Sequence, residues 1–257
     1  MEKSNIAVHR IKLYLELMRV DRPIGFYLLM WPVLWAFLIA TDGQPSIIYM
    51  IIFAIGIIAT RSAGCIINDY FDQDIDKKVE RTKNRVLASK KVSNKEAISI
   101  FTILILICLS LLLMLGLEIL IFALLSFFLL IIYPLMKRYF KMPQLILGLA
   151  FGSSIPMVFI IETGEMNINC FLLYFLTVIW AIVYDTYYAM ADKKDDHKIG
   201  VQSSAIFFGD NDIKISKNLH FLVILVFLSI GLLNNFNLFF YFFILLSCLC
   251  IIYQNLL

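Results

Sequence analysis

The sequence predicts an all-α protein: a polytopic membrane helical bundle of about eight transmembrane helices in two four-helix repeats. Three observations carry this prediction. The chain is 61% hydrophobic and only 16% charged, outside the usual range of soluble domains. Apolar runs close to the ~20 residues that span a bilayer recur along its length. Two acidic clusters with one internal spacing follow the second and the sixth of these runs.

The apolar runs define the spans in chain order. The first run follows about twenty polar and charged residues and is therefore not a cleavable signal peptide. A single domain of residues 1–257 is expected, with a first repeat at about 20–136 and a second at about 144–253. Because the acidic clusters follow equivalent spans, both repeats run in the same direction through the membrane. The spans are predicted at about 24–40, 47–67, 98–115, 119–136, 144–161, 170–190, 219–234 and 237–253.

Charge placement predicts which side of the membrane each loop occupies. The loops after spans one, three, five and seven contain no Lys or Arg, whereas all 22 Lys and Arg lie in the N-terminal segment, in the other three loops or at Arg61. The positive-inside rule therefore places both termini and both acidic clusters in the cytoplasm. We expect an integral protein of a bacterial inner (plasma) membrane, or an equivalent one, whose functional site faces the cytoplasm.

The acidic clusters are NDYFDQDID and DKKDD. Asp72 and Asp76 are four residues apart, and the same spacing separates two aspartates 120 residues later. Carboxylates at i and i+4 lie on one face of a helix, where they repel each other unless a cation intervenes. Mg²⁺ takes carboxylate and amide oxygens, usually alongside phosphate and water. The pattern predicts a metal–diphosphate site at a membrane surface, with these candidate metal ligands: Asn68, Asp72, Asp76, Asp192 and Asp196.

Two ionisable residues are predicted inside spans. Arg61 lies in the second span and Asp185 in the sixth, each one to two helical turns from the cytoplasmic end. Ionisable residues at membrane depth are costly and normally face a cavity or a polar partner. Both are therefore candidate substrate-binding residues in a polar cavity that reaches down from the surface.

Other interpretations of the pattern are weaker. An EF-hand at DQDID fails because Lys77 and Lys83 stand where Gly and a bidentate Glu are needed. A cation-coupled transporter also places polar residues within spans, but here the acids lie at the rim and no span is visibly broken at its centre. A non-catalytic lipid-binding scaffold is a third alternative.

Both acidic clusters, and several segments around them, form an ordered set of motifs. NDYFDQDID fits the NDxxDxxxD motif of the UbiA superfamily of intramembrane prenyltransferases, and YDTYYAMADKKDD fits its second aspartate motif. Further segments resemble the 4-hydroxybenzoate polyprenyltransferase branch: DRPIG, RSAGCIINDY, YPLMKRYFKMPQLILG, FGSSIPM and DDHKIGVQSSAIFFG. The resemblance extends from about residue 10 to 230.

The resemblance implies transfer of a polyprenyl group from polyprenyl diphosphate to the meta carbon of 4-hydroxybenzoate, a step of ubiquinone biosynthesis. It implies Mg²⁺ as cofactor, and the two substrates and the lipid bilayer as partners, with no nucleic acid or protein partner. A prenyltransferase of the same superfamily acting on another aromatic acceptor is the nearest alternative. The catalytic residues that it implies are Asp72, Asp76, Asp192, Asp196 and Arg138.

The resemblance also implies substrate contacts. Arg138, in the MKRY segment, is expected to bind the acceptor carboxylate through a two-point guanidinium contact. Arg81 and Lys198 are candidates for the diphosphate oxygens, as is Arg61. The chain also departs from the family pattern. The family usually has nine spans, and its proline-rich NRPLPSG loop here reads NRVLASK, which is expected to loosen that loop.

Overall fold

A computed structural model describes residues 2–254, with side chains from residue 7 onward. Residues 1 and 255–257 of the expected domain lie outside the described residues. All regular structure within the described range is helical, which confirms the all-α prediction. The α-helices are α1 (Glu2–Leu17), α2 (Ile24–Ala40), α3 (Ile47–Phe71), α4 (Gln73–Asp76), α5 (Asn94–Leu115), α6 (Leu120–Tyr139), α7 (Pro143–Gly152), α8 (Ser154–Thr163), α9 (Ile168–Ile199), α10 (Ser204–Phe208), α11 (Asp212–Leu233) and α12 (Leu238–Gln254).

The apolar helices lie where hydropathy predicted the spans. Six helical segments of the described chain are long and apolar enough to cross a membrane, and two shorter apolar helices, α2 and α12, supply the first and last predicted spans. Helix α9 continues well beyond its apolar part and carries the second acidic cluster. The bundle prediction is therefore confirmed, whereas its division into two repeats remains a prediction.

The fifth span consists of two helices. Helix α7 ends at Gly152 and α8 begins at Ser154. Pro156 has no N–H with which to reach the Gly152 carbonyl four residues earlier, so the helix cannot continue smoothly through this point. Ser153, at the break, donates its hydroxyl to the Ala150 carbonyl at 2.6 Å. The expectation that no span is broken at its centre is wrong.

Capping residues fix the ends of several helices. Ser93 and Glu96 form a reciprocal capping box at the start of α5. The Asn167 side chain accepts hydrogen bonds from two N–H groups in the first turn of α9. Gly200 ends the same helix in the left-handed conformation, at φ 74°, which glycine adopts without steric cost.

Loop contacts agree with the predicted sidedness. At one end of the bundle the Ser46 N–H, after the first span, donates to Glu162 at the end of the fifth span, at 3.0 Å. At the other end the Gln202 N–H donates to the Lys137 carbonyl at 2.7 Å. Two loops free of Lys and Arg thus share one end, and two basic loops share the other.

Two apolar clusters hold the bundle together. The larger joins α2, α8, α9 and α11 around fully buried residues such as Phe37, Phe159 and Leu176. The smaller packs α1 against α3 and the loop of residues 77–93, where Val86 and Leu87 are almost completely buried. Val86 occupies a position at which the resemblance implies a proline, and its burial in this cluster anchors the loop.

Candidate active site

Both acidic clusters line one cavity of about 820 Å³. Asp72 and Asp76 reach it from the junction of α3 with α4, and Asp192 and Asp196 reach it from the extension of α9. The two clusters are far apart in the chain, so only the packing of α3 and α4 near α9 brings their carboxylates to a shared space. Asn68 lines the same cavity.

The carboxylates of the first cluster have different basic partners. Lys137 Nζ donates to Asn68 Oδ1 at 3.0 Å and to Asp72 Oδ2 at 2.9 Å. Arg85 Nη1 donates to the two carboxylate oxygens of Asp76 at 3.0 and 2.9 Å. Basic side chains of the protein therefore offset part of the repulsion between these carboxylates. The sequence pattern alone had suggested that only a metal ion does so. The i, i+4 pattern could not reveal Lys137, which is 65 residues from Asp72 in the chain, or Arg85, which lies nine residues from Asp76 in the following loop.

Asp69 is a third residue that the i, i+4 spacing did not single out. Its carboxylate accepts two hydrogen bonds from Arg19 Nη2, at 3.0 and 2.8 Å, and one from Arg85 Nη1 at 3.1 Å. In the sequence it is the aspartate directly after Asn68, a defined position of the NDxxDxxxD motif. Arg19, Asp69 and Arg85 all line the cavity.

Arg81 joins the two clusters. It comes from the loop after the first cluster, and its guanidinium makes a two-point contact with Asp192 of the second, with Nε 2.9 Å from Oδ1. This hydrogen bond raises the pKa of Arg81. Lys198, predicted to contact diphosphate, does not line the cavity: its side chain is 76% exposed and lies 3.7 Å from Asp195.

Burial and charge act in opposite directions on Asp76. Removal from water raises the pKa of its carboxyl, the Arg85 guanidinium lowers it, and the nearby Asp69 raises it again. Asp74, in the same motif, differs sharply: its side chain is 93% exposed, and the hydrogen bond from Lys77 lowers its pKa. Only some acids of the motif therefore belong to the cavity.

Arg61 lines the cavity within the apolar part of α3. Among the described residues no acidic side chain lies within 4.0 Å of its guanidinium, and its Nε is buried without a hydrogen-bond partner. Gly25 of α2 makes room for it, because a Cβ at that position would collide with the guanidinium. Asp185, on the same cavity, lies at the limit of hydrogen-bond distance from the Tyr133 hydroxyl, at 3.5 Å.

Arg138 lies outside the cavity. Its side chain is exposed, and Nη2 donates to the Phe71 carbonyl at 2.8 Å. Its neighbour Lys137 is the residue of the MKRY segment that lines the cavity. Adjacent residues on a helix point about 100° apart, so a motif that spans both does not tell which one faces the site.

The other end of the cavity is apolar. It extends between α3, α5 and α6, away from the acidic clusters, and α5 forms one wall while its outer face stays exposed. An apolar channel joined to a charged end fits a molecule with a long hydrocarbon tail and an anionic head group. Side chains that form this end include Phe53, Ile105, Leu112, Leu115, Leu120 and Phe127.

The acidic residues fit a metal that is shared with a substrate. Among the described side chains, those of residues 7–254, no three from His, Cys, Asp or Glu are gathered closely enough to hold a metal ion unaided. Mg²⁺, however, usually takes one or two carboxylates together with substrate phosphates. Asp72 Oδ1 is buried without a hydrogen-bond partner. A carboxylate oxygen in this state is a suitable ligand for such an ion.

Sequence comparison assigns the family. The sequence model of the UbiA prenyltransferase family matches residues 29–257. The chain belongs to the UbiA prenyltransferase family. A relative from Pseudoalteromonas translucida (strain TAC 125), named 4-hydroxybenzoate octaprenyltransferase, is 42% identical over 257 residues, which cover 100% of this chain and 88% of that relative. This UbiA-family chain is thus a membrane prenyltransferase, and the resemblance stated from its motifs is confirmed.

Solved structures of UbiA homologues share the fold. The apo structure of a homologue from Aeropyrum pernix K1 superposes with a TM-score of 0.79 at 22% identity, covering 90% of this chain and 86% of the homologue. A homologue from Archaeoglobus fulgidus bound to GPP and Mg²⁺ gives a TM-score of 0.72 at 17% identity, covering 95% and 84%. At these identities the similarity shows the helical architecture alone.

Proposed function

We propose that this UbiA-family enzyme transfers a polyprenyl group from a polyprenyl diphosphate to the meta carbon of 4-hydroxybenzoate, a step of ubiquinone biosynthesis. One observation carries the proposal: a single cavity joins both acidic clusters to an apolar channel. The name of the Pseudoalteromonas relative supports the acceptor. The GPP and Mg²⁺ bound to the Archaeoglobus homologue support a prenyl diphosphate donor and a divalent metal.

At the charged end, the acids would hold the metal and the basic residues would hold the diphosphate. Lys137, Arg81 and Arg85 already lie among the carboxylates, and each can donate to phosphate oxygens. Mg²⁺ supplies charge neutralisation of the diphosphate leaving group when bound. The proposed metal ligands are Asn68, Asp72, Asp76, Asp192 and Asp196.

The apolar channel would hold the prenyl tail and exclude water from the reacting carbon. Cleavage of the carbon–oxygen bond sends its electron pair to the diphosphate and leaves an allylic cation. The electron-rich ring of the acceptor attacks that cation, and the ring carbon then loses its proton. A dry channel suppresses hydrolysis of the cation, which explains why this chemistry belongs inside a helix bundle.

The acceptor is proposed to bind between Arg61 and Asp185. Arg61 is the best candidate for its carboxylate, because the guanidinium lines the cavity and has no acidic partner among the described residues. Asp185 would accept a hydrogen bond from the phenol. Arg138, the residue that the resemblance implied, would first have to leave the Phe71 carbonyl and turn toward the cavity.

We infer that the site faces the cytoplasm of a bacterial inner membrane, or an equivalent membrane. The acidic clusters lie at the end of the bundle that carries the basic loops, which the positive-inside rule places in the cytoplasm. The break in the fifth span removes one objection to a transporter. The match to the prenyltransferase family still favours an enzyme over a transporter. The carboxylates also lie at the rim of the bundle and not at mid-membrane.

The proposal is tested with membranes that contain the protein, 4-hydroxybenzoate, a polyprenyl diphosphate and Mg²⁺, analysed by mass spectrometry for a prenylated aromatic acid. Product should form, disappear with a chelator, and disappear in Asp72→Ala and Asp192→Ala. Asp74→Ala is the matched control, because it removes an exposed carboxylate of the same motif. Product from a different aromatic acceptor only would favour the nearest alternative.

A further inference from the structure

Helix α1 has two apolar sides, of which only one is buried in the protein. Its inner side packs into the smaller apolar cluster, where Leu17 is fully buried. On the outer side Val8, Ile11 and Leu15 repeat at helical spacing and are 63%, 57% and 41% exposed. The remaining side is polar and carries His9, Lys12 and Glu16. A helix with this three-sided pattern fits a boundary between protein, lipid and water.

The contacts of α1 fix its level relative to the spans. Glu96, in the first turn of the long apolar helix α5, accepts hydrogen bonds from Arg10 Nη2 and from the Tyr14 hydroxyl, each at 2.7 Å. Arg10 Nη1 also donates to the Lys91 carbonyl, just before α5, at 3.0 Å. Helix α1 therefore lies at the level where α5 begins, at the end of the bundle that the positive-inside rule assigns to the cytoplasm.

Four exposed lysines lie on α1 and around the start of α5. Lys12 belongs to the polar side of α1. Lys90 and Lys91 precede α5, and Lys95 lies in its first turn. Among the described residues no acidic side chain lies within 4.0 Å of any of these four ammonium groups. Clusters of lysines at the cytoplasmic end of a span attract the anionic head groups of that leaflet.

We propose that α1 is an interfacial helix whose outer side binds the anionic phospholipids of the cytoplasmic leaflet. The stripe of Val8, Ile11 and Leu15 inserts at the boundary between head groups and acyl chains, and the four lysines contact head-group phosphates. Burial of apolar area and attraction to anionic lipid act together in helices of this kind. The described side chains of α1 do not line the cavity of the candidate active site, so this surface is independent of the proposed function.

The first test measures what covers the outer side, with the purified full-length protein in phospholipid vesicles. Ile11→Trp places a fluorophore on the outer stripe and His9→Trp places one on the polar side, and the emission of the three native Trp is subtracted. Lipids brominated on their acyl chains should quench Ile11→Trp more strongly, whereas acrylamide in the water should quench His9→Trp more strongly. Leu15→Trp replaces Ile11→Trp if that variant does not fold. Quenching of the outer stripe by acrylamide and not by lipid would overturn the proposal, and would leave this side free for a protein partner.

A second measurement tests the preference for anionic lipid. Brominated phosphatidylglycerol is mixed with unbrominated phosphatidylcholine, and quenching of Ile11→Trp gives the relative association constant of the anionic lipid. This constant should be about five or more, which corresponds to about 1 kcal/mol, the contribution of one lysine near an anionic surface. Adding Lys12→Gln and Lys91→Gln should bring it close to one. The control is Lys194→Gln, which removes an exposed lysine from the polar extension of α9 and should leave the constant unchanged. Equal association of the two lipids with Ile11→Trp, or an equal loss in the control, would overturn the proposal.

Discussion

Lys137→Met tests whether the basic residues of the cavity hold its acids in place. Lys137 Nζ lies 2.9 Å from Asp72 Oδ2, and the two side chains are 24% and 4% exposed. Removing one partner of a buried ion pair costs about 3–5 kcal/mol, because the other charge remains buried without compensation. The partial exposure of Lys137 favours the lower end, so we expect a loss of about 3 kcal/mol in metal-free buffer.

The assay is thermal unfolding of the purified protein in detergent. At about 2–4 °C per kcal/mol for a chain of this size, Lys137→Met should melt about 6–12 °C below wild type, and Mg²⁺ should reduce the difference by replacing the lost cation. Lys83→Met is the matched control: it breaks an exposed pair with Glu80, 44% and 81% exposed, which should be worth under about 1 kcal/mol. Adding Asp72→Asn should restore much of the lost stability. If the two substitutions are instead additive, or if Lys137→Met melts like the control, the pairing argument is refuted.

Three further predictions concern single residues. Arg61→Lys should raise the KM for 4-hydroxybenzoate about tenfold or more, because Lys cannot make the charged two-point contact. Arg138→Lys should leave this KM near the wild-type value. The opposite result would identify Arg138 as the residue that binds the carboxylate. Gly25→Ala should raise the same KM by displacing the Arg61 guanidinium, while Gly56→Ala, whose new Cβ would meet its nearest atom at 3.9 Å, should not. Gly148→Ala would place a Cβ 2.8 Å from a backbone carbonyl oxygen of α9 and should cost about 1–3 kcal/mol of stability, which unfolding in detergent would detect.

The positions of the spans could be predicted because hydropathy depends only on which residues are adjacent in the chain. The acidic clusters could be predicted to converge because matched spacing after equivalent spans places them at the same depth. The break in the fifth span could not be predicted, because the average hydropathy that locates a span is insensitive to a local change in the backbone. Pro156 lies in an apolar run, and an average over such a run does not register a missing N–H.

The partners of the acids could not be predicted from spacing. Which base meets Asp72 depends on how α6 is rotated about its own axis, and one residue of register separates Lys137 in the cavity from Arg138 outside it. The i, i+4 pattern did not single out Asp69, whose partners Arg19 and Arg85 lie in the turn after α1 and in the loop after α4.

The distances along the chain between acids and their bases have a consequence for synthesis. Asp76 pairs with Arg85, nine residues later in the chain, whereas Asp72 pairs with Lys137, 65 residues later. Arg81, in turn, is made 111 residues before Asp192. As the chain emerges from the ribosome, the site therefore closes in stages: first within one loop, then with α6, and finally with α9. A nascent chain halted before α9 would carry Arg81 without its acidic partner Asp192.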